Sequence, residues 1–361
     1  MGNYVRDLLA HLVSDSTFEF VVYLDPHCDG SLVPDRENVV VRWLPALPYA
    51  FTEQVVLPLA CIGDRIDILH APANTAPLLM PRSSKLVVTV HDTIFMRGLF
   101  AGGSLYQTLG RWYRRLVVPR VAKRAEGLMT ISNHAAAAIE KSVGIDQKRL
   151  DVIYHGPPSD KLVHLEAARA DHAADESSAE NTPYFLFLGA IDPRKNTARV
   201  LRAFADFAER VPEVELRVVG LRPEQLPIPV KTQTGDATRR VRALGFVSDE
   251  ELAGLYAGAI GLLYVSLQEG FGLPALEAMT AQCPVVFSKN SAVEEVVGGA
   301  GLAINANSDE AVVEAMLLLR HDAALRADLA RRGLERVRAF SWDAAAERQR
   351  SVYRRVAACA L

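Results

Sequence analysis

The stretch Glu269-Gly-Phe-Gly-Leu-Pro-Ala-Leu-Glu277 follows a short apolar run, Ile260-Gly-Leu-Leu-Tyr-Val265. A run of this length and composition is typical of a buried parallel strand, so Glu269 is predicted to lie just past a strand's carboxyl end. Pro274 suits the first turn of a helix, where its missing N–H costs nothing. The stretch therefore predicts a strand, a glycine loop and a helix in succession.

The glycine loop has the features of an anion site. Gly270 and Gly272 carry no side chain that would keep a ligand from the backbone. The helix after them points unpaired N–H groups and the positive end of its dipole at the loop, which favours an anion such as a diphosphate. Glu277 can accept hydrogen bonds from the vicinal hydroxyls of a ribose, and Glu269 can do the same for a sugar. The alternative is a plain glycine turn in which Glu277 only complements the helix dipole.

Composition limits the possible classes of protein. The chain has 361 residues, of which 50% are hydrophobic, so it can bury two cores of ordinary domain size. A net charge of −3 gives no case for nucleic-acid binding, because nucleic-acid-binding domains are strongly basic. The four cysteines show no metal-ligand spacing. No apolar run is long enough to span a membrane and no signal core is present, so a soluble, cytoplasmic protein is predicted.

Apolar runs alternate with helical patterns along most of the chain, which predicts parallel sheets covered by helices. This alternating pattern occurs in two segments: the first comprises residues 1–160 and the second comprises residues 184–340. The Ala-, Asp- and Ser-rich tract 161–183 is predicted to be a linker, although its start has a helical pattern. A closing helix is predicted within 341–361. The sequence thus predicts an α/β protein of two Rossmann-like, doubly wound domains that face a cleft.

A second loop, Gly189 to Asn196, follows the first strand of the second domain. Ligands of open α/β sheets lie beyond the carboxyl ends of the strands, so Arg194 and Lys195 are predicted to reach the same phosphates as the glycine loop. A bidentate guanidinium beside an ammonium group suits a leaving diphosphate. The alternative is a solvated basic pair, although the dipole at a helix start disfavours cations.

Two further features come from the first domain. His91 ends the strand Lys85–Val90, where a neutral imidazole can bond a substrate hydroxyl or transfer a proton, and a structural role is equally compatible. Residues 105–124 carry six cations and no acidic residue. Because a cation gains about 1 kcal/mol beside anionic lipid, reversible membrane contact through residues 111–124 is predicted, with a solvated helix face as the alternative.

Several motifs occur together in a recognisable order: Leu188-Gly189, Pro193-Arg-Lys-Asn196, Gly245 to Leu252, Glu269 to Glu277, and Pro284-Val-Val. In this order they resemble the retaining GT-B glycosyltransferases of family GT4, over nearly the whole chain. The resemblance implies that the first domain binds the acceptor and the second the nucleotide sugar. It also implies that the last helix crosses back to the first domain.

The resemblance implies roles for single residues. Glu269 would contact the transferred sugar and Glu277 the ribose, while His91 would lie beside the anomeric centre. Arg194, Lys195 and the amides of the glycine loop would hold the diphosphate. The predicted catalytic residues are His91, Glu269, Arg194 and Lys195, and the predicted binding residues are Gly2, Gly189, Gly270, Phe271, Gly272 and Glu277.

The implied reaction is transfer of a hexose from a nucleoside diphosphate sugar to a saccharide or lipid-linked acceptor, with retention at the anomeric carbon. Neither a metal nor another cofactor is implied, and the sequence has no Asp-x-Asp. The segments Gly189–Asn196 and Phe271–Met279 resemble those of bacterial mannosyltransferases of surface polysaccharide assembly, so GDP-mannose is the predicted donor. A sugar-nucleotide epimerase of the same fold and a non-catalytic nucleotide-sugar-binding subunit are the alternatives.

The start of the chain departs from the pattern of the resembled family. There, a strand and a glycine-rich loop precede the first helix, whereas Met1-Gly2-Asn3-Tyr4 already resembles the entrance to that helix. The first strand of the first domain is therefore expected to be missing. Since that strand is central in a doubly wound sheet, its neighbours would lack ladder partners.

Overall fold

A computed structural model of the chain describes residues 2–96, 105–174, 182–227 and 237–358. The chain divides into two compact units: unit 1 comprises Met1–Gly156 with Ser341–Leu361, and unit 2 comprises Pro157–Phe340. All strand pairs in both units are parallel among the described residues. Across the same residues, every helix is too short or too polar to cross a membrane.

Strands and helices alternate along much of the described chain. Unit 1 contains α1 (Gly2–Leu12), β1 (Phe20–Leu24), β2 (Val39–Trp43), α2 (Tyr49–Phe51), a π-helical turn (Thr52–Val56), α3 (Leu57–Gly63), β3 (Ile68–Ala71), β4 (Lys85–Val90), α4 (Leu105–Arg124), β5 (Gly127–Thr130), α5 (Asn133–Val143) and β6 (Leu150–Val152). Unit 2 contains α6 (Ser159–Ala174), β7 (Tyr184–Leu188), α7 (Thr197–Arg210), β8 (Glu215–Val219), β9 (Val241–Gly245), α8 (Asp249–Ala257), β10 (Gly261–Tyr264), α9 (Leu273–Thr280), β11 (Val285–Ser288), α10 (Ala292–Val297), β12 (Leu302–Ile304), α11 (Asp309–His321) and α12 (Ala323–Val337). The closing helix α13 (Trp342–Ala358) belongs to unit 1.

In the described part of unit 1 there are two sheets, one that pairs β1 with β2 and one in the order β3-β4-β5-β6. Helix α13 lies on the second sheet, next to α1. The approach is close at Gly127 of β5, where a Cβ atom would lie 3.0 Å from Val356 Cγ2 and 3.1 Å from Val352 Cγ1. A residue without a side chain thus lets the helix reach the sheet.

The described residues of unit 2 form one six-stranded sheet in the order β12-β11-β10-β7-β8-β9. Its central strand, β7, is the apolar run Tyr-Phe-Leu-Phe-Leu, and all of it except Leu188 is buried. An apolar strand of this kind is stable where helices cover both faces of the sheet. Helix α7 supplies part of that cover by burying Phe204 and Phe207 completely.

The first part of the predicted linker 161–183 is helical, as the pattern at its start indicated, but it is not a free linker, because α6 continues to Ala174 and packs against α8 and α9. Leu165 is buried on the inner face of α6. Alanine, which made the tract resemble a linker, is also the best helix former, so composition alone did not separate the two states. Residues 175–181 of the predicted linker lie outside the described residues.

We predict that Gly127→Ala destabilises unit 1 by about 1–2 kcal/mol, because the new methyl group overpacks the contact of β5 with α13. Gly110→Ala is the matched control: Gly110 lies in α4, and apart from the backbone of that helix and the two neighbouring residues nothing lies within 4 Å of its Cβ position. That substitution should be neutral or stabilise by up to about 1 kcal/mol. Urea unfolding of both variants measures the difference, and equal effects would contradict the packing argument.

Candidate active site

The glycine loop of unit 2 has the predicted strand–loop–helix arrangement. Strand β10 is fully buried, and Gly272 is the N-cap of α9, with Pro274 in the first turn. Gly272 has a φ of 130°, a conformation that favours glycine. The Phe271 ring is buried and packs edge-on against Phe340, with 6.1 Å between the ring centroids. The Phe271 ring therefore fixes the loop, and only its backbone is available for the predicted binding role.

Asn196 connects the second loop to the glycine loop. It has a φ of 60°, and its buried side-chain amide donates to the carbonyls of Val265 (3.2 Å) and Ala306 (2.8 Å). The N–H of Leu267 donates to the carbonyl of Arg194 at 2.7 Å. These bonds bring the loop after β7 against the loop after β10, as expected for neighbouring parallel strands.

Lys195 and Glu269 form an ion pair between the two loops. The distance from Lys195 Nζ to Glu269 Oε1 is 2.7 Å, and both side chains are less than one-third exposed. Lys195 Nζ also lies 5.3 Å from the centroid of the Tyr264 ring. Burial raises the pKa of Tyr264 well above its usual value, and the charges of Glu269 and Glu277 add to this. The hydroxyl of Tyr264 therefore stays protonated beside the two carboxylates.

Arg194 is engaged by a carboxylate of its own turn. Its Nε lies 2.9 Å from Asp192 Oδ2, and its Nη2 lies 2.5 Å from the same oxygen. Burial opposes the charge of Asp192, but the bonds and charge of Arg194 outweigh it and lower the pKa of Asp192. A phosphate that binds Arg194 thus has to share the guanidinium with Asp192.

Glu277 is buried and has two polar partners. The hydroxyl of Tyr256 donates to Glu277 Oε2 at 3.1 Å, and Lys161 Nζ lies 3.3 Å from Glu277 Oε1. Lys161 also lies 3.1 Å from Asp249 Oδ1. Lys161 is in α6, within the segment that was predicted to be a linker. This segment therefore supplies the cation that pairs with Glu277, the residue predicted to bind the ribose.

Burial raises the pKa of Glu277, and the charge of Lys161 opposes this rise. Burial lowers the pKa of Lys161, but the charges of Glu277 and Asp249 more than offset it, so its pKa is raised overall. Each member of the pair therefore stabilises the charged form of the other. A carboxylate has four acceptor sites, of which Tyr256 and Lys161 occupy two.

Gly189 has a packing role in the structure. Its N–H donates to the carbonyl of Val219 at 2.9 Å. A Cβ atom at Gly189 would lie 2.9 Å from Val218 Cγ1 and 3.0 Å from Leu221 Cδ1. The absence of a side chain thus allows the loop to begin close to β8.

His91 and Gly2 lie in unit 1. Gly2 is the first residue of α1. The buried His91 ring has its Nε2 2.7 Å from the carbonyl of Pro72, which can only accept, so Nε2 carries the proton. Burial lowers the pKa of His91. The imidazole is therefore neutral at pH 7, and its Nδ1 is a hydrogen-bond acceptor.

The structure brings Arg194, Lys195 and Glu269 together at one edge of the unit 2 sheet. Four residues of this region had no role in the predictions: Lys161, Asn196, Tyr256 and Tyr264. Asn196 and Tyr264 lie within the sequence motifs described above, so the sequence alone could have indicated these two residues. Tyr256 and Lys161 contact Glu277 from other helices, and no local pattern marks such partners.

Two family profiles match the chain: "Glycosyltransferase Family 4" matches residues 1–160, and "Glycosyl transferases group 1" matches residues 168–336. O-antigen chain mannosyltransferase B of Escherichia coli is 34% identical over 201 residues, which are 52% of this chain and 52% of that protein. The match thus spans about half the length of that relative. Phosphatidyl-myo-inositol mannosyltransferase of Mycolicibacterium smegmatis is 32% identical over 336 residues, which are 91% of this chain and 80% of that protein.

Sucrose-phosphate synthase from Thermosynechococcus elongatus is similar in structure, with a TM-score of 0.68 over 99% of this chain and 93% of that chain. The sequence identity is 19%, so the likeness concerns the fold alone. The predicted GT-B fold is confirmed by this similarity.

We predict that Lys161→Met destabilises unit 2 by about 2 kcal/mol at pH 8 and by less at pH 5, because a buried carboxylate loses its cation. Burial raises the pKa of Glu277, so protonation favours the folded state, and without Lys161 this pKa rises further. As the pH falls, the variant's carboxyl group takes up a proton and the loss of stability shrinks; as the pH rises, the loss returns.

Urea unfolding at the two pH values measures this difference. Lys289→Met, at an exposed lysine of unit 2, is the matched control and should show a small effect at both values. A loss in Lys161→Met that is the same at pH 5 and pH 8 would mean that the ion pair is not its cause.

Proposed function

Because this chain belongs to glycosyltransferase family 4, we propose that it transfers a hexose from a nucleoside diphosphate sugar to a saccharide or lipid-linked acceptor. The observation that carries the proposal is the Lys195–Glu269 ion pair at the carboxyl edge of the unit 2 sheet, beside the glycine loop. Both relatives described above are named mannosyltransferases. Mannose, with GDP-mannose as the donor, is therefore the first candidate.

Glu277 is proposed to bind the ribose of the donor. Lys161 supports its charged form inside the protein, and two acceptor sites of the carboxylate remain for a pair of vicinal hydroxyls. Tyr256 and Lys161 fix the orientation of the carboxylate, so little order is lost when the ribose binds. In this proposal Lys161 is a positioning residue.

Lys195 is proposed to meet the diphosphate while it holds Glu269 against the transferred sugar. An ammonium group has three donors, of which the pair with Glu269 uses one. As the glycosidic bond breaks, negative charge grows on the diphosphate. A fixed cation therefore stabilises the transition state more than it stabilises the ground state. Arg194 and the loop amides of 270–272 are proposed to share this charge.

The proposed reaction retains the anomeric configuration, and the leaving phosphate accepts the proton of the acceptor hydroxyl. Glu269 acts as a positioning group in this scheme, because the proposal includes no second carboxylate for a nucleophile-and-acid pair. His91 of unit 1 is proposed to accept a hydrogen bond from a substrate hydroxyl through Nδ1. No step is assigned to a metal ion, so turnover is expected to persist in EDTA.

A panel of nucleoside diphosphates tests the function. GDP at one hundred times its Kd should add about 2.7 kcal/mol of stability and raise the melting temperature, and GDP-mannose should be converted to GDP. Failure of GDP, UDP and ADP alike to raise the melting temperature would contradict the proposal. Binding without release of GDP would indicate a non-catalytic subunit, and a new sugar epimer in the nucleotide pool would indicate an epimerase.

We predict that Glu277→Gln weakens GDP binding about tenfold, because a neutral amide is a poorer partner for two ribose hydroxyls. Glu269→Gln should leave GDP affinity within about threefold and lower kcat roughly 100-fold, because it contacts the reacting sugar. Titration calorimetry with GDP and turnover of GDP-mannose separate the two effects. Glu250→Gln, at an exposed glutamate of α8, is the control. Equal losses of GDP affinity in both site variants would overturn these roles.

Membrane contact through α4 is the second part of the proposal. On this helix Leu109, Trp112 and Leu116 are exposed, at spacings that place them on one side. Arg120 and Lys123 are exposed on the same side of this helix. Exposed aromatic and aliphatic groups beside cations are typical of helices that lie in the interface of an anionic membrane. A lipid-linked acceptor at the inner face of the cytoplasmic membrane would fit this surface.

We predict that the protein sediments with phosphatidylglycerol vesicles at low salt and is released as salt increases. Arg120→Gln with Lys123→Gln should weaken vesicle binding roughly 30-fold, at about 1 kcal/mol for each cation. The control replaces two exposed cations outside α4, Arg36→Gln with Lys141→Gln. Equal weakening by both double variants would show that binding depends on net charge and not on α4.

A further inference from the structure

The π-helical turn between α2 and α3 contains a buried carboxylate, that of Glu53. Turns of this kind are rare and often occur at functional sites. Glu53 Oε1 accepts hydrogen bonds from the hydroxyls of Tyr49 and Thr75, each at 2.6 Å. Glu53 Oε2 accepts from the hydroxyl of Tyr113 and, at 3.0 Å, from the side-chain amide of Gln54. All four acceptor sites of the carboxylate are therefore used.

The four donors to Glu53 are neutral groups. Burial raises the pKa of Tyr49 and of Tyr113, and Glu53 adds to this rise, so both phenols keep their protons and donate. A buried charge costs stability unless hydrogen bonds or an opposite charge offset it. The gain from this cluster is therefore sought in the position of the residues that Glu53 holds.

Glu53 and Gln54 hold the segment 72–78, which follows β3. The hydroxyl of Thr75 donates to Glu53. The side-chain amide of Gln54 donates to the carbonyl of Ala76 at 3.0 Å, and its oxygen accepts from the N–H of Leu78 at 2.8 Å. Three hydrogen bonds thus fix this segment against the π-helical turn.

The segment 72–78 in turn holds His91. The carbonyl of Pro72 accepts from Nε2 of the ring at 2.7 Å, and the side-chain oxygen of Asn74 accepts from the N–H of His91 at 2.6 Å. Asn74 is buried with a φ of 70°, a left-handed conformation that asparagine adopts more readily than most residues. The position and the tautomer of the imidazole therefore depend on this segment.

We propose that Glu53 is a positioning residue for His91. By holding Thr75 it fixes the segment 72–78, and this segment sets the orientation and the tautomer of the imidazole. The inference rests on the proposed function, in which His91 Nδ1 accepts a hydrogen bond from a substrate hydroxyl. Position matters there, because a displacement of about 1 Å can lower turnover roughly 100-fold.

The test follows the His91 ring in the full chain by nitrogen NMR of a sample with labelled histidine. The His91 signals are those that are missing in His91→Gln. A ring that keeps its proton on Nε2 gives two well-separated nitrogen shifts, whereas a mixture of tautomers gives intermediate shifts. Glu53→Gln should move the His91 signals towards the mixture, because one amide oxygen cannot accept from three hydroxyls.

Thr75→Val is the second variant. It keeps the carboxylate of Glu53 but removes its bond to the segment, so it should change the His91 signals in the same direction. It also tests the proposal if Glu53→Gln does not fold. Glu126→Gln is the matched control, because Glu126 accepts from the N–H of Leu86 at 2.8 Å, at the opposite end of the strand that precedes His91. The control should leave the His91 signals unchanged.

Turnover of GDP-mannose gives the second readout. Glu53→Gln should lower kcat roughly tenfold. It should leave the Kd of GDP within about threefold, because Glu53 lies in unit 1 and the residues proposed to bind the nucleotide lie in unit 2. The control variant Glu126→Gln should keep its kcat.

Unchanged His91 signals in both Glu53→Gln and Thr75→Val would overturn the proposal. Equal changes of these signals, or equal losses of kcat, in Glu53→Gln and Glu126→Gln would also overturn it, because any lost carboxylate of unit 1 would then have the same effect. If the unaltered protein does not convert GDP-mannose, the proposed function fails, whereas the ring signals still decide whether Glu53 positions His91.

Discussion

The ion pair between Lys195 Nζ and Glu269 Oε1, 2.7 Å long, joins two loops that are 74 residues apart in the sequence. It depends on Asn196, whose amide bonds hold the first loop against the end of β10. A carboxylate next to a diphosphate site would repel the ligand if no cation lay between them. In the proposed function, the pair therefore lets the carboxylate that binds the sugar and the cation that binds the phosphate lie side by side.

The second carboxylate, Glu277, is more buried than Glu269 and also needs a nearby cation. Its charge is costly there, and Lys161 of α6 offsets the cost from outside the strand–loop–helix motif. Each predicted ligand carboxylate of unit 2 is thus paired with one lysine. A pre-formed pair keeps the carboxylate charged and oriented before the ligand arrives, which is the condition for electrostatic preorganisation.

Local patterns predicted the strands of unit 2, the glycine loop and the helix after it, because each depends on residues close in sequence. The first strand predicted for the second domain, directly before Gly189, is β7, the apolar run Tyr184–Leu188. The role of Lys161 could not be predicted in this way, since its partner lies more than one hundred residues further on and its own helix resembled a linker in composition. The engagement of Arg194 by Asp192 is local, but only the structure shows that their side chains meet.

A crystal structure of the protein with GDP bound tests the central claim most directly. The account predicts that Lys195 Nζ lies within about 3 Å of both Glu269 and a phosphate oxygen. It also predicts that both ribose hydroxyls contact Glu277 while Lys161 stays on the same carboxylate. A nucleotide bound at the carboxyl edge of the unit 2 sheet without contact to Lys195 or Glu277, or bound elsewhere on the protein, would contradict it.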